Sequence, residues 1–186
     1  MNPIKTHTLR GMVLSASMAA LGLILPIAFH AAGLGSKFMP MVLVLMLNGF
    51  ISPLPWAMLT GAIVPLASSV LTGMPSLYPP FCLIMSVEMA VVAGLAAGIY
   101  RLTKRRIWPA LITAIVFDRV ISITLTYALA GKFGLPPRFL TLASFAQGLP
   151  GIALQLTVIP LVVRTLSTRR GILFRHDHEP EAPVLQ

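Results

Sequence analysis

Charge is scarce in this chain. Only 10% of its 186 residues are Asp, Glu, Lys or Arg, against about 25% in ordinary soluble domains. Mean hydropathy is +0.87, and a soluble domain of this length could not bury so much apolar surface. The economical reading is an integral membrane protein. Cysteine is scarcer still. Cys82 stands alone, which excludes an internal disulfide and any Cys-based metal cluster. A P-loop of the form GxxxxGK[ST] is missing, so ATP has no site of the usual kind. The HExxH and GxSxG patterns are missing as well, and a membrane enzyme lacks a convincing catalytic constellation. A secretory cleavage pattern is also lacking: the first apolar run begins near Leu9 and continues past Pro26, too long for a signal-peptide core.

What the chain does contain is long apolar runs. A helical span needs about 20 apolar residues. The runs predict an all-α integral membrane bundle of six transmembrane helices, at residues 9–32, 38–51, 54–71, 81–102, 107–130 and 139–166. The second is short, and with Ser52 and Pro53 it suggests a broken or tilted element. Pro26, Pro65, Pro150 and Pro160 fall inside spans, where kinks are tolerated if the freed carbonyls find partners. The stretch GMPSLYPP reads as a loop. Residues 1–8 form a short N-terminal segment, 9–166 the membrane domain, and 167–186 a polar, Pro-containing tail expected to be disordered.

The basic residues are unevenly placed. With the N-terminus inside, the inner segments hold Lys5, Arg10, Arg101, Lys104, Arg105, Arg106, Arg164, Arg169, Arg170 and Arg175, and the outer loops hold Lys37, Lys132 and Arg138. The positive-inside rule then puts both termini in the cytoplasm of a multi-pass protein of the cell membrane. The net charge of +9 is read as this topology signal rather than as nucleic-acid binding. His176 and His178 fall in the polar tail, and no metal site is expected.

Polar residues inside the spans are costly and mark binding sites or pathways. A helix rises about 1.5 Å per residue. By that count Glu88 lies roughly 10 Å below the outer surface, Arg119 roughly 12 Å, and Asn48 and Gln147 roughly 12–14 Å, with His30 shallower. His30, Asn48, Glu88, Arg119 and Gln147 are therefore expected to gather in an outward-facing pocket. Arg119, Ser122 and Thr126 follow a helical stripe, with Asp118 at its edge. Successive helical residues are about 100° apart, so Glu88 across the bundle is the expected partner of Arg119. Gln155 lies deeper, where it is expected to satisfy a carbonyl freed near Pro160.

Small residues form ridges that allow close helix approach. Gly11, Ser15 and Ala19 make one in the first span, with Ala16 and Ala20 beside them. Ala90, Gly94 and Gly98 make another in the fourth. Such ridges pack internally or receive a partner subunit.

The segments LPIAFHAAGLGSKFMPM, LTGMPSLYPP, MSVEMAVVAGLAAGIYR and QGLPGIALQLTVIP resemble the substrate-binding S components of energy-coupling factor (ECF) transporters, over residues 9–166. The resemblance implies a six-helix subunit that captures a vitamin-like micronutrient from outside. It would deliver that solute with a transmembrane coupling subunit and two ATPases of the ABC type, the chain itself being no enzyme and holding no cofactor. It implies a pocket near the outer face, covered by AAGLGSK and TGMPSLYPP, and a docking surface for the coupling subunit at Ala16 and Ala20. Asp118 departs from the family pattern, which commonly has a small residue before the arginine. Arg119 and Lys37 suit an anionic vitamin such as pantothenate or a folate-like compound, whereas a histidine with nearby methionines suits a tetrapyrrole. The competing reading is a self-sufficient proton-coupled carrier, but the inverted repeats and paired broken helices common in such carriers are not found.

Overall fold

A computed structural model of the chain describes residues 3–76, 81–133 and 148–173. The described chain is helical throughout its regular structure. Its elements are α1 (Pro3–Ala31), the single turn α2 (Gly35–Phe38), α3 (Pro40–Ile51), α4 (Leu54–Thr72), α5 (Phe81–Leu102), α6 (Ile107–Phe133) and α7 (Leu149–Leu173). Five of them, α1, α4, α5, α6 and α7, are long and apolar enough to cross a membrane. The all-α, multi-pass architecture agrees with the sequence expectation. The expected short second span, residues 38–51, is the 12-residue helix α3 preceded by the turn α2, and it is not among the five helices long enough to cross. Residues 139–147 of the expected sixth span, like the tail from 174 onward, lie outside the described residues.

The 12-residue helix α3 is the centre of the bundle. It is about 18 Å long, and every residue from Pro40 to Ile51 is buried. Helices that are apolar on all sides belong inside, and the sequence MVLVLML leaves no polar face to turn outward. Both ends of α3 have local causes. At its start Met39 adopts a left-handed conformation (φ 47°, ψ 55°), uncommon for a residue with a side chain, and Pro40 supplies a preset first helical position. At its end Ser52 is extended (φ −105°, ψ 157°), as the residue before a proline prefers. The chain then reverses at Pro53 into α4.

Close backbone approach fixes α5 against α3 and α4. A Cβ added at Gly61 of α4 would meet the Met89 carbonyl at 2.5 Å, and one at Gly49 of α3 would meet the Ala93 carbonyl at 2.6 Å. Ala57, Ala93 and Ala97 form a buried cluster beside them. Gly94 and Gly98 face Met58 and Leu54 of α4, so the small-residue ridge of α5 is internal. The ridge of α1 is split. Gly11 packs on Pro53 and Gly22 on Val64, Ser15 is buried and Ala19 packs on the core, while Ala16 and Ala20 lie on the exposed face.

The connections sort to two ends of the bundle. At one end Arg101 donates from Nη2 to the Ser52 carbonyl (3.1 Å), joining the α3–α4 turn to the α5–α6 turn. That second turn carries Lys104 and Arg105 in left-handed conformations (φ 52° and 65°). The segment between α1 and α3 and the segment after α4 lie at the opposite end. The cluster Arg101, Lys104, Arg105 and Arg106 thus marks one end, and the cavity described next opens at the other.

Candidate functional site: a cavity between the helix ends

The cavity has a volume of about 720 Å³, within the usual range for small-molecule sites. Helix α1 contributes Pro26, Ile27 and His30. Gly35 and Met39 come from the first connection, and Thr72, Met74, Pro75 and Ser76 from the second. Helix α5 adds Phe81, Met85 and Glu88, and α6 adds Asp118, Arg119 and Ser122. Both segments expected to cover a pocket therefore line this cavity, with residues 77–80 outside the described residues.

The wall after α4 is held by hydroxyl groups. Gly73 ends α4 in a left-handed conformation (φ 71°) that suits glycine. Ser68 donates to the Met74 carbonyl (2.7 Å) and Ser69 to the Pro75 carbonyl (2.5 Å). The two serines are themselves buried, and their hydroxyls tie residues 74 and 75 to the end of α4. On the facing side α2 is pinned to α1 by an edge-to-face contact between Phe29 and Phe38, with ring centroids 5.9 Å apart. Gly35 sits so close to His30 that a Cβ there would overlap the imidazole.

Charge in the cavity comes from Glu88, Asp118 and Arg119. Arg119 donates to Asp118 Oδ2 from Nη2 (2.6 Å) and from Nε (3.0 Å), and Nη2 also reaches Met39 Sδ (3.3 Å). This corrects the expected Glu88–Arg119 pair: the guanidinium folds back onto its own chain neighbour. Asp118 is 1% exposed against 24% for the Arg119 side chain. The second oxygen of Asp118, Oδ1, is buried and has no hydrogen-bond partner among the described residues. Glu88 is buried and lines the same cavity as Asp118, Arg119 and Ser122.

Of the five residues expected to gather, the fold brings His30, Glu88 and Arg119 to one cavity. Asn48 is elsewhere. Its Oδ1 accepts from Ser52 (2.6 Å) and Ser15 (3.4 Å), and Ser15 lies 15 residues, roughly 22 Å of helix, before His30 on α1. The turn α2 and the break at Met39 take up the first part of the descent, so α3 starts deeper than an unbroken span would. Gln147 and the side chain of Thr126 lie outside the described residues. Lys37 is exposed and does not line the cavity. Gln155 satisfies no carbonyl near Pro160: both its amide atoms are buried without a partner among the described residues. Sequence reading missed Met39, Ser68, Thr72 and Met85 as lining residues. For Ser68 and Thr72 a signal existed, since paired hydroxyls one turn apart before a Gly–Met–Pro loop are suited to capping it.

Among the described residues no group of three or more His, Cys, Asp or Glu side chains could hold a metal ion. The lining is mainly apolar with a few convergent polar groups, the composition of an organic-solute site. No protein-family model, curated protein or solved structure matches the chain.

Proposed function

We propose that the chain is the substrate-capture subunit of an ECF-type importer in the cell membrane. It binds a vitamin-like micronutrient in the cavity and passes it onward through a transmembrane coupling subunit powered by two partner ATPases. The supporting observation is the cavity itself. It joins His30, Glu88, Asp118 and Arg119 at the end of the bundle opposite Arg101, Lys104, Arg105 and Arg106. Under the positive-inside rule the basic end is cytoplasmic, so the cavity opens outward. Intramembrane charges that line a cavity are functional by default. The exposed face of α1 at Ala16 and Ala20 leaves room for close approach by a coupling helix.

Uptake assays in proteoliposomes test the proposal. A solute retained by the purified chain, identified by mass spectrometry, should accumulate only when the coupling subunit, the ATPases and ATP are present. Ala16→Trp should abolish that uptake and the association with the coupling subunit while leaving solute binding intact. Accumulation by the chain alone under a proton gradient would identify it as a self-sufficient carrier instead.

A further inference from the structure

The charges lining the cavity do not balance. Arg119 already has its counter-charge in Asp118, bound through two nitrogens at 2.6 and 3.0 Å. Glu88 is buried at the cavity and forms no ion pair with a basic side chain among the described residues. A second acceptor, Oδ1 of the 1%-exposed Asp118, is buried at the cavity without a partner. A buried carboxylate without compensation is expensive, and an unsatisfied buried acceptor calls for a donor.

We infer that the cavity selects an organic cation: a solute with an apolar body and a protonated nitrogen that donates to Glu88 and the free oxygen of Asp118. The inference rests on the reading of the cavity as a solute site. An anionic solute would add a third negative group beside a single guanidinium that is already paired. A bare metal ion would find no cluster of three ligating side chains among the described residues. Met39, Met74 and Met85 line the walls, and polarisable thioethers suit the flat apolar body of such a solute. His30, the remaining titratable side chain at the cavity, is exposed on α1.

Three probes of matched shape test this on the full chain in detergent by isothermal titration calorimetry: tryptamine, indole-3-propionate and neutral 3-propylindole. Tryptamine should bind at least tenfold more tightly than either of the others. In Glu88→Gln that preference should collapse, and Glu88→Asp should recover part of it. Binding of indole-3-propionate equal to or tighter than that of tryptamine would overturn the charge assignment while leaving the cavity a solute site. Equal binding of all three would do the same. Binding of none up to millimolar concentration would overturn the solute site and the charge assignment together. The wild-type comparison stands even if a Glu88 variant fails to fold.

Discussion

Asp118 and Arg119 are neighbours in sequence, and helical rotation alone separates them by about 100°. The arginine stem is long enough to cancel that rotation, which is why the partner could not be read from periodicity. The pair is also asymmetric, because Asp118 is 1% exposed and Arg119 24%. Removing one partner of a buried pair typically costs about 3–5 kcal/mol, since the survivor is left uncompensated. Arg119→Met strands the buried carboxylate and should fall in that range. Asp118→Asn strands a guanidinium that can turn toward the cavity, and should cost roughly half as much. The double variant should be more stable than the sum of the two losses implies. Unfolding of all three variants in mixed micelles measures this, and equal losses for the two single variants would contradict the asymmetry. Glu88, His30 and Arg119 were legible as residues that would share a cavity, because polar side chains at matching depth on different helices have few other reasons to be there. Asn48 matched in counted depth but not in place, because counting assumes an unbroken helix and Met39 breaks it.

Among the elements, α5 shows what the small residues packed against it are for. Gly61 and Gly49 let α4 and α3 touch its backbone, so each position should respond to a single methyl group in proportion to its space. Gly61→Ala drives a Cβ to 2.5 Å from the Met89 carbonyl, and overpacking of this kind costs about 1–3 kcal/mol. Gly98→Ala meets only Leu54 Cδ1 at 3.6 Å, an ordinary contact, and the gain in helix propensity of up to about 1 kcal/mol should make it neutral or stabilising. Melting temperatures of the two variants should therefore move in opposite directions or, at the least, differ clearly. The five long helices were legible from apolar length alone. The ridges were legible as ridges, but whether they face protein or lipid depends on helix rotation. The fold turns Gly94 and Gly98 inward and leaves Ala16 and Ala20 outside.

For the whole molecule, the proposed orientation rests on the separation of the basic turn from the cavity. Cysteines placed at Lys104 and at Ser76 should react with impermeant reagents from opposite faces, Ser76 from outside intact cells. Reaction of both from one face would reverse the orientation on which the outward cavity depends. The buried helix α3 has a further consequence, for synthesis. Twelve residues, about 18 Å, are too few to hold a segment in a bilayer whose core is about 30 Å thick. Only Ser52 and Pro53 separate α3 from the 19 residues of α4. During biogenesis α3 therefore cannot be committed to the membrane on its own merits. The expected order is that α3 waits at the insertion machinery until α4 has been made and that the two then enter together as a hairpin. A nascent chain arrested when Ser52 has just cleared the ribosome should leave residues 40–51 open to protease, and one arrested when Thr72 has cleared it should protect them.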